Sequence, residues 1–302
     1  MGVRVEILWL AGGDTLNVGL TGALAVNAYQ NLIAYFDDSN KVLRIYGWNG
    51  LKWSQYGTEF SIPGSGQASM AKLNNFDMAF AELNGTLTVY RFGGLRWDQI
   101  GNQAIISGIG AFDPPMARLD DTSIAIIPLG SMYLKKMQWN GSDFSQVGNN
   151  FTATGYNNSM MTALDSSTVV LAENALDKIQ AFKFDGVNWS ALGSSYNLYH
   201  DTSSPLTALT STLLAVIDAT YQTLQAYTFN GSTWSTSGSS YSMPASMTYA
   251  TTCKLNNTDM AVIDNYTDTL YVMRFNGSTW SQVGTSLSIT GADNAPYIET
   301  IF

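Results

Sequence analysis

A ten-residue segment returns six times along the chain at a nearly constant interval. It reads WNGLKWSQYG at 48–57, FGGLRWDQIG at 92–101 and WNGSDFSQVG at 139–148. It returns as FDGVNWSALG at 184–193, FNGSTWSTSG at 229–238 and FNGSTWSQVG at 275–284. The first turn glycines, Gly50, Gly94, Gly141, Gly186, Gly231 and Gly277, are spaced by 44, 47, 45, 45 and 46 residues. A fixed period of this length means that one supersecondary unit is being copied, and that neighbouring copies must bury each other's apolar faces.

Each unit resolves into four short strands. In the last one they run over 247–254, 259–264, 270–275 and from 279 toward 289, with turn-forming Asn, Thr, Asp and Gly between them. Val, Ile, Tyr, Phe, Trp and Thr dominate the runs, as pleated surfaces prefer. No stretch carries a capped helical stripe. Four antiparallel strands per repeat, six times over, predict an all-β propeller, with residues 1–302 as a single domain. The units resemble the Asn-Gly-x-x-Trp-Ser-x-x-Gly repeats of bacterial and phage propeller proteins, a resemblance of architecture that covers nearly the whole chain. They lack the Gly-His and Trp-Asp pairs of WD40 repeats and the clustered aspartates of calcium-loop propellers.

The ends set the blade count. Residues 294–302 align with the first strand of a unit, since Ile301 matches Leu255. Residues 3–10 read as a strand, and 12–19 as a degenerate turn and strand. The expectation is a composite seventh blade, closed by both termini, because a six-bladed ring would leave these strands with open edges. Six blades is the alternative.

Composition narrows function by exclusion. Lys and Arg number 14 against 23 Asp and Glu, a formal charge of −9 that disfavours nucleic acid as a partner. Apolar residues at 45% with charged residues at 12% exclude intrinsic disorder. One cysteine, Cys253, excludes a disulfide framework and a cysteine-based zinc site; one histidine, His200, excludes a site needing two. No P-loop or dinucleotide fingerprint occurs, so neither cofactor nor metal is expected. The opening segment lacks the form of a signal peptide, and no run is long enough to span a bilayer. Synthesis in the cytosol without membrane insertion, followed by action on a virion or outside the cell, is the expected setting.

Two patterns bear on a site. The aromatic pairs of each unit, such as Phe229 with Trp234, are expected to pack blade against blade rather than stack on sugars. The aligned positions Asp37, Glu82, Pro128, Glu173, Asp218 and Asp264 are acidic in five of six units. They read as solvated turn residues, with a cation-binding ring as the sharper alternative. The turn between third and fourth strands is constant, whereas the connections between units vary, and variable loops on a constant scaffold are where binding sits. Ligand-binding candidates there are Asp113, Tyr156, Tyr199, His200, Asp201 and Tyr249. The favoured reading is a non-catalytic binding and assembly module, a phage tail or capsid-associated structural or host-recognition protein. Its expected partners are other virion or surface proteins in a multimeric assembly, and a cell-surface glycan. A multivalent lectin and a glycan-cleaving enzyme are the alternatives.

Overall fold

A computed structural model describes residues 31–37, 40–62, 68–82, 84–93, 96–106, 114–128, 131–153, 159–173, 176–198, 204–244, 247, 250–264, 267–289 and 297–300. Among them are six antiparallel sheets arranged as blades. Blade 1 holds β1 (Asn31–Asp37), β2 (Val42–Trp48) and β3 (Trp53–Ser61). Blade 2 holds β4 (Ala68–Lys72), β5 (Asp77–Glu82), β6 (Thr86–Phe92) and β7 (Trp97–Ile105). Blade 3 holds β8 (Met116–Arg118), β9 (Ser123–Ile126), β10 (Tyr133–Trp139) and β11 (Phe144–Thr152). Blade 4 holds β12 (Met160–Asp165), β13 (Thr168–Glu173), β14 (Lys178–Phe184) and β15 (Trp189–Asn197). Blade 5 holds β16 (Leu206–Ala208), β17 (Leu213–Asp218), β18 (Thr223–Phe229) and β19 (Trp234–Ser242). Blade 6 holds β20 (Thr251–Lys254), β21 (Asp259–Asp264), β22 (Thr269–Phe275), and an outer strand split into β23 (Trp280–Gln282) and β24 (Leu287–Ser288). The last strand, β25 (Tyr297–Thr300), returns to blade 1 and pairs with β1, placing Ile298 opposite Tyr35.

The four strands of a blade, a to d from the axis outward, differ in burial as their radius dictates. Strand b is covered on both faces, and β5, β13 and β21 are buried at all six positions. Strand d is the outer edge, and β7, β11, β15 and β19 share one pattern in which mainly the leading aromatic is buried. Every d strand before the last bulges at one place: in blade 1, Ile45 pairs with Tyr56 but Leu43 with Phe60.

Six apolar clusters lie between consecutive blades. One joins blade 6 to blade 1 directly, packing Cys253, Ala261, Ile263 and Val272 against Ile33, Tyr35, Trp48 and Ile298. The described residues thus form a six-bladed β-propeller, and the expected composite seventh blade is corrected: among them blade 6 packs directly on blade 1. The first unit supplies only strands b, c and d to the described structure, and the C-terminal strand completes it in the a position. This pairing leaves β1 no open inner edge. The expected partners of 294–302, residues 3–10 and 12–19, lie outside the described residues.

Candidate functional site

The repeated motif builds the ring. In each described Asn-Gly turn the side chain before the glycine caps two backbone amides: Asn230 Oδ1 accepts from Ser232 and Thr233, as Asn140 Oδ1 does from Ser142 and Asp143. The second glycine of the motif sits in the d-strand bulge and touches the turn of the next blade. Gly193 has φ +67°, and a Cβ there would lie 2.3 Å from the Ser232 carbonyl oxygen. The following residue donates its N–H to that carbonyl. Asn102 bonds Ser142 at 2.7 Å, Ser194 bonds Ser232 at 2.7 Å, and Thr285 of blade 6 bonds Leu51 of blade 1 at 3.1 Å, which closes the circle.

The motif aromatics belong to the same construction. Trp53, Trp97, Phe144, Trp189, Trp234 and Trp280 are only 2–9% exposed, and each lies 4.5–5.3 Å, ring centre to ring centre, from the aromatic ending strand c. Rings this buried pack blades and offer no face to a sugar. The five indole N–H groups find no acceptor in the protein, and Phe144 shows that the position does not require one.

The acidic positions at the ends of the b strands correct the expectation of solvated turn residues. Asp37 and Asp264 are 0% exposed, Glu173 2%, Glu82 5% and Asp218 9%. Strand b lies one strand from the axis, so its end is covered by its neighbours. The carboxylates are held locally. Asp37 accepts from the Asn40 amide and side chain and from Arg44 at 2.7 Å. Glu173 pairs with Lys178 at 3.1 Å. Asp218 accepts from the Tyr221 amide at 2.8 Å, and Asp264 from the Thr267 hydroxyl at 2.5 Å. Burial pushes the Glu82 and Glu173 carboxyls above the usual carboxylate range. Each of these partners lies in the same blade as its carboxylate, and among the described residues no three His, Cys, Asp or Glu side chains come together to hold a metal ion.

The predicted ligand residues Asp113, Tyr156, Tyr199, His200, Asp201 and Tyr249 all lie outside the described residues. What the structure describes is the rest of their end of the ring, the end carrying the b–c turns and the d–a connections. Ile105 (75% exposed), Met132, Tyr133, Leu176 and Tyr221 (66%) project there from blades 2 to 5. At the opposite end Leu51, Phe76 and Val187 are exposed on turns of which two, those of Leu51 and Val187, are engaged in the blade-to-blade bonds.

Sequence reasoning missed the axis. The a strands of all six blades surround a channel with a cavity of about 230 Å³. Met70, Met116, Met161 and Ile298 give it apolar walls, and Thr162, Thr207 and Thr252 give it hydroxyls. Thr207 donates to the Thr252 hydroxyl at 2.8 Å, and the Ala208 amide donates to Thr162 at 3.2 Å. Lys72, Arg118 and Lys254 stand at equivalent places near the ends of their a strands and line the same cavity. The signal was present in the repeat register, since each of the three immediately precedes a leucine, Leu73, Leu119 or Leu255, at the same place in its unit.

No protein-family profile matches the chain, and no curated protein matches it in sequence. Solved structures share its fold. The fucose-specific lectin from Aleuria aurantia superposes with a TM-score of 0.60 over 86% of this chain and 92% of the lectin, at 16% identity. Streptogramin B lyase does so with a TM-score of 0.55 over 90% and 92%, at 14% identity. A functionally unknown protein from Desulfotomaculum acetoxidans matches at 0.60 over 86% and 80%, at 9% identity. Identities this low establish the propeller and no activity, for one fold hosts many sites. No helix among the described residues is long and apolar enough to cross a membrane.

Proposed function

We propose that this propeller is a non-catalytic binding and assembly module that engages a cell-surface glycan through the end carrying its b–c turns and d–a connections. In this reading it is a structural or host-recognition component of a virion. The observation that carries the proposal is the unequal use of the two ends. The described Asn-Gly turns at one end are engaged in holding neighbouring blades together. At the other end no backbone bond among the described residues joins b–c turns of neighbouring blades; this end varies in sequence from unit to unit and displays Ile105, Tyr133 and Tyr221 to solvent. Tyrosine supplies contact area with a polar tip at low entropic cost, which suits polar ligands. A sugar-specific lectin on the same ring supports the ligand class, and several copies in one particle would turn weak single contacts into firm attachment.

The test is whole-cell and glycan-array binding by multimerised protein. Tyr133→Ser with Tyr221→Ser, and separately Tyr156→Ser with Tyr199→Ser and Tyr249→Ser, should lose binding while keeping the melting curve. Leu51→Ser with Val187→Ser at the opposite end should keep it. Loss only in the last variant reverses the working face, and turnover of a polysaccharide by the purified protein refutes the non-catalytic reading.

A further inference from the structure

We propose that the channel mouth on the a–b side is a second binding site, for a small hydroxylated carboxylate of the sugar-acid class, held by Lys72, Arg118 and Lys254. The inference rests on the axis alone and is independent of the face assigned above. Three observations carry it.

The first is charge. A chain of net charge −9 with only 14 basic residues places three of them on one small cavity. Blades 6, 2 and 3 supply Lys254, Lys72 and Arg118, while the equivalent places are Thr300 in blade 1, Ala163 in blade 4 and Ala208 in blade 5, so the cations lie on one side of the ring. Two carboxylates of the adjoining a–b turns are held by arginines of the c strands. Arg91 holds Asp77 through two bonds of 2.6 and 2.8 Å, and Arg274 holds Asp259 through two of 2.7 Å. Asp121 takes part of the Arg118 charge, and the Arg118 Nε–H donates to the Leu73 carbonyl at 2.9 Å, which fixes the guanidinium in place. Lys254 is half-buried with its ammonium 2.9 Å from the Asn257 side-chain oxygen, a neutral partner. Burial pushes its pKa down from the ordinary lysine range, so an anion beside it would recover favourable charge pairing.

The second is size. A cavity near 230 Å³ lies between the roughly 150 Å³ that admits benzene and the roughly 300 Å³ at which drug-sized pockets begin. It fits one sugar ring.

The third is hydrogen bonding. Each a strand has a ladder partner on one side only, so its other edge presents backbone donors and acceptors to the axis. With Thr162, Thr207 and Thr252 beside them, these edges match a ligand rich in hydroxyls, while the methionines cover its C–H surface. A bare anion such as phosphate would use the cations and leave the rest of the wall unmatched.

The experiment is calorimetric titration of the full chain with D-glucuronate, D-glucose and inorganic phosphate. Glucuronate should bind, more tightly than either comparison ligand, and weaken as salt is raised. Lys72→Met with Lys254→Met should weaken it by at least about tenfold, the scale of a lost charge-assisted hydrogen bond. Lys254→Arg should retain binding, as should Tyr133→Ser with Tyr221→Ser at the other end. Absence of glucuronate binding, equal affinity for glucose or phosphate, or loss of binding in the tyrosine variant overturns the proposal. If the double lysine variant fails to fold, the ligand comparison and the salt dependence in the wild-type protein decide the matter.

Discussion

Replacing Gly193 by alanine tests whether the repeat is a blade-to-blade clasp. The residue has φ +67°, and its new Cβ would meet the Ser232 carbonyl oxygen at 2.3 Å, the carbonyl carbon at 2.7 Å and Cα at 2.8 Å. These are backbone atoms, which no side-chain rotation relieves. The left-handed conformation costs a residue with a Cβ about 1–2 kcal/mol. Moving the turn away also stretches the Ser194–Ser232 hydrogen bond, worth about 1 kcal/mol. Loosened packing beneath, where Phe229 and Trp234 lie, brings the expected total to roughly 3–5 kcal/mol. Gly231→Ala is the control: φ is +91°, but nothing lies within 4 Å of its Cβ, so backbone strain of about 1–3 kcal/mol is the whole cost. At roughly 2 °C per kcal/mol for a chain of this size, melting should fall by about 6–10 °C in the first variant and distinctly less in the second. Calorimetric scans at several rates would keep irreversible unfolding from being mistaken for an equilibrium shift. A Gly193→Ala protein no less stable than Gly231→Ala would refute the clasp.

Other perturbations follow from the same geometry. Deleting 297–302 removes the strand paired with β1 and takes Ile298 from the cluster joining blades 6 and 1; melting should drop and size-exclusion profiles should show aggregates, and an unchanged profile would sink the closure described here. Trp234→Ala should cost about 3–5 kcal/mol in denaturant titrations, whereas Trp234→Phe should cost far less because blade 3 already uses Phe144 there. Burial raises the Glu82 pKa above its unfolded value, opposed by hydrogen bonds from Thr86 and Asn84. Stabilisation from its protonated form is therefore full below the unfolded carboxylate range and lost as pH rises through the folded value. The stability of Glu82→Gln relative to wild type should accordingly be greater at about pH 7 than at about pH 4; a difference that runs the other way contradicts the assignment.

How much of this was legible in the sequence depends on what a repeat encodes. The six Gly-x-x-aromatic segments located the c–d turns because such a turn favours a glycine at positive φ, such as Gly231, and in five of the six an Asx acceptor, such as Asn230, stands before it. The burial of the motif aromatics followed from their presence in every unit. The blade count did not follow, because the motif marks only the outer half of a blade. Which sheet the C-terminal strand joins is decided by nonlocal packing of Ile298 among Tyr35, Cys253 and Ile263. The acidic positions misled for a different reason. Asp and Glu at a strand end look like turn residues, but DMAFAE and DMAVID are unbroken runs without alternation, the pattern of a strand buried on both faces.

The axis was hidden because its residues carry no motif, only register. Lys72, Arg118 and Lys254 become a group once the units are superposed strand by strand and the ring is closed. This reflects how a propeller separates duties. The d strands and their turns are held nearly constant because each must fit the next blade, and a change at Gly193 or Trp234 would damage an interface copied around the ring. The a strands line the axis, where several positions of blades 2 to 6, and Ile298 of blade 1, border the same small volume. At the position before the repeated leucine the chain places cations on blades 2, 3 and 6 and alanines on blades 4 and 5, away from the Asn-Gly turns that clasp neighbouring blades. Departure from the repeat is therefore most informative at the a strands. There Ala163 and Ala208 join the interblade clusters while Lys72, Arg118 and Lys254 carry charge to the axis, and the ligand proposed above gives that asymmetry a physical cause.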